Sequence, residues 1–217
     1  MSSLTITRVE QPSPKLIDDS VNLFVALMKS DPAIESLCGG DVSLAGPMAR
    51  AMLNAGVLAG EYYAALDENG ELAGFTLWMP PGQEMFSTQE QRDLGLTDFM
   101  ARLPPEGKEY YKDTYLAEFP GFVSSCIGPT GKVDSWWLHM AMVRQERQQQ
   151  GIARSLIGLV RDKAKEKGET LACSTTTLTN ASAVIALGFD LKGERNMPSP
   201  WGDWPLYVFA LDTKSSD

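Results

Sequence analysis

Six consecutive residues, Gln148-Gln149-Gln150-Gly151-Ile152-Ala153, stand where an apolar run gives way to a helical pattern, and their types suit one task. A helix start presents N–H groups that have no intrahelical partner and carries a partial positive charge, so it attracts an anion. Gly151 and Ala153 have too little side chain to hold that anion away from the backbone. The three glutamines add neutral donors, and Arg144, Arg147 and Arg154 add positive charge nearby. A diphosphate is the guest such an arrangement fits. Upstream lies His139, the only histidine in the chain, whose ordinary pKa is close to neutrality.

These residues need elements to position them. Residues 136–143 form an aromatic, apolar run short enough for a buried strand. Ile152, Leu156 and Leu159, with Ala153, Ile157, Val160 and Ala164, recur at helical spacing, and Gly168 supplies the helix stop. Alternate strand residues share a face, so Trp137 and His139 should point the same way.

The first half of the chain reads as a strand, helices and a hairpin. Residues 4–9 alternate apolar with polar and predict an opening strand. Ser13-Pro14 and Asp31-Pro32 are helix starts with proline at the first helical position. Val21, Phe24, Val25 and Met28 form the apolar stripe of the first helix, and Gly39-Gly40 closes the second. A third helix is expected from about Asp41, with Leu44, Met48, Ala51, Met52 and Ala55 inward and Gly56 as its stop. Two strands, 61–67 and 71–79, meet at Asn69-Gly70, a strong hairpin signal. After the central helix, residues 171–176 read as a strand, 180–189 as a short helix broken by Gly188, and 189–195 and 206–211 as closing strands.

Residues 82–132 form a long segment before the next strand. Thr97 is positioned to cap a short helix ending before Pro104-Pro105, and residues 106–119 predict another. Tyr110, Tyr111, Tyr115, Phe119 and Phe122 are interleaved there with Glu109, Asp113 and Glu118. Two readings stand. The aromatics pack the segment onto its own base, or they wall a pocket that meets a cationic amine with aromatic faces and carboxylates.

Composition narrows the function classes. At 217 residues, with 43% hydrophobic and 22% charged residues, the chain predicts one soluble domain over 1–217. A net charge of −9 argues against nucleic acid, whose binding needs clustered Lys and Arg. Cys38, Cys126 and Cys173 are odd in number and far apart, which indicates neither a disulfide framework nor a zinc site, and no metal is expected. No apolar signal core opens the sequence and no stretch approaches a membrane span, so the expectation is a cytoplasmic protein with no membrane partner. Phosphate loops, dinucleotide fingerprints and serine-hydrolase elbows are all missing.

The Gln-x-x-Gly-x-Ala element at Gln148 to Ala153, following a hydrophobic strand with Val143 eight residues before Gly151, resembles the acyl-CoA-binding motif of the GCN5-related N-acetyltransferases. A second family element follows at Asn180-Ala181-Ser182-Ala183-Val184-Ile185-Ala186-Leu187-Gly188-Phe189. The resemblance covers most of the chain apart from 82–132. It implies an α/β (α+β) acyl-CoA N-acyltransferase fold, a mixed central sheet flanked by helices, with 82–132 inserted between the third and fourth strands.

It further implies an N-acetyltransferase that uses acetyl-CoA and releases coenzyme A. A small-molecule amine would attack the acetyl group directly in a ternary complex, with the enzyme a monomer or homodimer. By the same resemblance, the strands beside the central helix splay and the pantetheine arm lies between them, along the backbone of Ala141, Met142 and Val143. An N–H near Met142 would stabilise the developing oxyanion. Gln148, Gln149, Gln150, Gly151, Ile152 and Ala153 would seat the diphosphate, with Arg154 assisting and Asn180 as a further cofactor contact.

His139 stands twelve residues before Gly151, where arylalkylamine-type members carry a catalytic histidine, and would act as the base that a protonated amine requires. Trp137, Tyr110 and Tyr111 would bind the acceptor. The chain departs from the family at Val184, where many members carry a tyrosine that protonates the departing thiolate. That proton would then come from water, Ser182 or another hydroxyl. A non-catalytic acyl-CoA-binding sensor, and an enzyme acting on protein or peptide amines, are the alternatives.

Overall fold

Alternating and continuous apolar runs become strands, and 3.6-periodic runs become helices, in a computed structural model that describes residues 4–214. Residues 1–3 and 215–217 of the expected single domain lie outside the described residues. The first half runs β1 (Thr5–Arg8), α1 (Pro14–Met28), α2 (Pro32–Leu37), α3 (Ala45–Ala59), β2 (Glu61–Leu66) and β3 (Leu72–Met79). The intervening segment contributes α4 (Gln89–Asp93), α5 (Leu96–Arg102), α6 (Pro105–Tyr110) and α7 (Leu116–Ile127). The second half runs β4 (Trp136–Val143), α8 (Ile152–Lys167), β5 (Thr170–Thr175), α9 (Leu178–Ala186), β6 (Asp190–Met197) and β7 (Trp204–Asp212).

One seven-stranded sheet has the order β1-β2-β3-β4-β5-β7-β6. Every neighbouring pair is antiparallel except β4 with β5, which are joined through α8. Helices α1 and α3 bury Val21, Phe24, Met48 and Leu53 on one face with Phe75, Leu77, Met140 and Met142 of the sheet. On the other face α8 buries Ile152, Leu156, Ile157, Val160 and Ala164 against Trp78, Trp136 and Leu138. Lys163 of α8 bonds both carboxylate oxygens of buried Glu61 on β2, at 2.6 and 2.8 Å, which fixes the helix across the sheet. The β2–β3 hairpin is closed as its Asn-Gly predicts: Gly70 takes a φ of 76°, and the Asp67 carboxylate accepts from the amides of Asn69 and Glu71.

Several local expectations are corrected. The third helix runs past Gly56 to Ala59 and ends at Gly60. Gly56 is there for proximity, since a Cβ on it would lie 2.7 Å from the Leu77 side chain. Leu159 is 40% exposed, so the inward stripe of α8 is narrower than its periodicity suggests. Thr97 lies inside α5 and does not cap it; Thr88 caps α4, a helix the sequence did not announce. From Pro105 to Ile127 the chain is helical without a break, α6 joining α7 through a π-helical turn at Tyr111–Tyr115. This segment packs on the sheet, with Val123 and Phe119 against Trp137, Val208 and Ala210.

Candidate active site

The site begins with a mismatch between strands. β3 pairs Leu77 with Met140 and Trp78 with Leu138, which leaves His139 as the extra residue of a β-bulge. The bulge reverses the alternation of β4. Trp136, Leu138 and Val143 face α8, whereas Trp137, Met140 and Met142 face the opposite layer. Pairing between β4 and β5 is limited to Trp136–Leu171, Trp137–Ala172 and Leu138–Cys173. Beyond Leu138 the two strands part, and a gap opens at the bulge.

At the mouth of this gap stands the start of α8. Gly151 occupies the N-cap position with a φ of 83°, no side chain caps the helix, and a Cβ on Gly151 would meet nothing within 4 Å. Gln149 is also left-handed, with a φ of 59°. Two left-handed residues so close together curl the backbone of 148–151 around the helix start. α8 has 16 residues, so its aligned dipoles reinforce that start.

A cavity of about 1580 Å³ runs from the α8 start, along the β4–β5 gap and past the bulge, into a chamber between α1, α3, α5 and α7. Trp137, His139, Ala141, Met142 and Val143 line it from β4. Gln148, Gln149, Gly151, Ile152, Ala153 and Arg154 line it from the α8 start, Asn180 and Val184 from α9, and Tyr111 from the inserted segment. Most of the residues singled out in the sequence therefore meet on one cavity.

Others do not. Gln150 is exposed and donates to the Glu146 carbonyl. Ser182 lies on the outer side of α9 and donates to the Leu178 carbonyl, away from the cavity. Tyr110 is buried beneath the chamber, where its hydroxyl accepts from Trp204 Nε1 at 3.0 Å, so it supports the wall without reaching the lumen. Arg154 lines the cavity while donating to the Ala186 carbonyl at 2.8 Å, which ties α8 to the end of α9. Asn180 sits in the first turn of α9, whose cap is Thr177. Glu109, Asp113 and Glu118 all stand outside the cavity; Glu118 pairs with Arg195. The aromatic wall is present and its expected carboxylates are not.

His139 is half-buried and its ring lies 6.5 Å from that of Trp137. Burial, with the Lys132 ammonium as a second cause, pushes its pKa down to about 3, so the imidazole is neutral at physiological pH. Lys132 sits over the Trp137 ring at 5.4 Å and pairs with Glu84. The sequence reading missed Lys132 and Glu84, because nothing in their local pattern marks two residues 48 positions apart as partners. It also missed Thr175, which lines the cavity at the end of β5. Its Oγ1 is buried with no hydrogen-bond partner among the described residues. An orphaned hydroxyl, an open glycine cradle and an uncapped helix start together fit a phosphate-bearing thioester lying along the gap.

Solved structures share this architecture. Arylalkylamine N-acetyltransferase 2 from Aedes aegypti matches with a TM-score of 0.64 at 15% identity, over 97% of this chain and 99% of that one. A Corynebacterium glutamicum protein described as histone acetyltransferase HPA2 and related acetyltransferase gives 0.60 at 17% identity, over 97% and 96%. Drosophila melanogaster polyamine N acetyltransferase gives 0.58 at 12% identity, over 97% and 100%. No protein-family model and no curated protein matches the chain. The chain has the acyl-CoA N-acyltransferase fold of the GCN5-related N-acetyltransferases, as the resemblance in its sequence implied.

Proposed function

We propose that this chain is an acetyl-CoA-dependent N-acetyltransferase, a single domain that transfers the acetyl group to a small-molecule amine by direct attack in a ternary complex. The observation that carries this reading is the continuous cavity, which joins an uncapped helix start to a separate chamber across the bulge at His139. The names of the structural neighbours, which include arylalkylamine and polyamine acetyltransferases, agree with it.

When bound, acetyl-CoA supplies an acetyl group on a thiol whose moderate pKa makes it a tolerable leaving group. Amides of residues 149–153 would hold its diphosphate, and the edge of β4 that β5 leaves open at Ala141, Met142 and Val143, whose other edge pairs with β3, would face its pantetheine arm. An N–H near Met142 stabilises charge on the carbonyl oxygen. The apolar chamber desolvates the acceptor ammonium and so favours its neutral, nucleophilic form. His139, too weakly basic to keep a proton, accepts a hydrogen bond from the nitrogen and passes its proton to water. Thr175 Oγ1, without a partner among the described residues, would donate a hydrogen bond to the departing sulfur, which leaves as thiolate and takes its proton from water, a task that Val184 cannot assist.

The test is release of free coenzyme A thiol from acetyl-CoA with a panel of primary amines. Amine-dependent thiol release is expected. Tight acetyl-CoA binding without turnover across the panel would identify a sensor instead, and turnover with peptides alone would identify a protein-modifying enzyme.

A further inference from the structure

We infer that the acceptor is a monoamine with an apolar body, and that amines carrying a second charge are excluded; this rests on the transferase reading above. Six of the ten methionines, Met28, Met48, Met52, Met85, Met100 and Met142, line the cavity. Phe24, Phe86, Phe99, Tyr111 and Phe119 fill in between them. The Tyr111 hydroxyl is already committed to the Leu37 carbonyl at 2.9 Å, so it is occupied as a donor. Thioethers on unbranched stems repack around different shapes, so this lining takes flexible alkyl and aromatic bodies alike.

Charge points the same way. Glu84 is the one carboxylate among the residues that line the cavity, and Lys132 already pairs with it. Both stand close to Trp137 and His139 at the bulge, where the reacting nitrogen belongs. The reacting nitrogen reaches the bulge as the neutral amine, so it needs no counter-charge from Glu84, which Lys132 occupies. A second amine, still charged further along the same molecule, would lie among methionines and phenylalanines with no counter-charge, and a buried unpaired charge is strongly disfavoured. The chamber is assigned to the amine and not to a longer acyl chain because it lies beyond the bulge, off the β4–β5 gap, among helices that take no part in the anion seat.

The deciding comparison is n-heptylamine against 1,6-diaminohexane, which match in length and differ by a terminal methyl against a terminal ammonium. Binding to the full chain is measured by calorimetry with coenzyme A present, and kcat/KM is measured with acetyl-CoA. At least about a 100-fold preference for heptylamine is expected in both, equivalent to roughly 2.7 kcal/mol. Equal or tighter binding of the diamine overturns the inference, as does an octanoyl-CoA donor that displaces heptylamine from the chamber and outperforms acetyl-CoA. Selective heptylamine binding without turnover upholds the chamber's assignment while removing the transferase reading. Met52→Glu, which places a carboxylate in the chamber, should bring the two amines to within about 10-fold; an unchanged ratio in the folded variant also overturns it.

Discussion

At the residue scale, His139 is the position where sequence and structure differ most usefully. A lone histidine suggests a base titrating near neutrality, yet burial and Lys132 hold it neutral down to about pH 3. His139→Ala should lower kcat about 100-fold and leave coenzyme A affinity unchanged; equal losses in both would make it a packing residue. Its pH signature follows from the sign of the shift. The folded pKa lies below the unfolded value of 6.5, so the stability it contributes is fully present above about 6.5 and is lost as pH falls toward about 3. Melting temperature measured through that window should fall less steeply in His139→Gln than in the wild type. Lys132, whose ammonium adds to that shift, is paired with Glu84.

Two further residues carry separable roles. Gly151→Glu puts a like charge and bulk into a left-handed, open position, and should weaken coenzyme A binding at least about 100-fold with little change in fold. Thr175→Val removes a hydroxyl that bonds to nothing else among the described residues, so stability should hold or rise slightly while turnover falls about 10-fold. A variant with full turnover would mean that the departing sulfur takes no help from Thr175.

At the scale of elements, much was legible. The helix start at Gly151 could be read because glycine and small residues at a strand-to-helix junction have one backbone consequence, and the hairpin at Asn69-Gly70 because only certain residues accept its dihedral angles. The strands splay and bulge for tertiary reasons. Nothing in Trp137 to Met140 says that His139 lacks a partner on β3, since register depends on residues of the opposing strand. The inserted segment was the least legible. Its aromatics fall into two groups that share a composition, Tyr110 packed against Trp204 and Tyr111 facing the chamber, and only what packs against each face of the helix tells them apart.

That segment also offers a test of how the chamber is built. α7 rests on β6 at Gly193, where a Cβ would lie 2.4 Å from Cys126 Sγ and 3.3 Å from the Phe122 ring. Gly193→Val should displace α7, and with it Phe119 and Val123, at a cost of about 1–3 kcal/mol in stability. Amine KM should rise several-fold while coenzyme A affinity stays within about twofold, because the anion seat lies on other elements. Parallel loss of both ligands would mean that the chamber and the seat are not independent.

At the scale of the whole molecule, the sheet is divided into two functions by the place where β4 leaves β5. Sequence-distant layers converge there: α8 and α9 bring the seat for a negatively charged tail, and α1, α3, α5 and α7 bring an apolar chamber. Among the described residues, no helix is long and apolar enough to cross a membrane. The central claim is that coenzyme A occupies the β4–β5 gap with its diphosphate on the amides of residues 149–153. A crystal structure with coenzyme A bound tests it most directly. The account predicts diphosphate oxygens within hydrogen-bonding distance of those amides and the thiol beside Thr175 and His139; a ligand lodged elsewhere, or a gap closed by side chains around it, would contradict it.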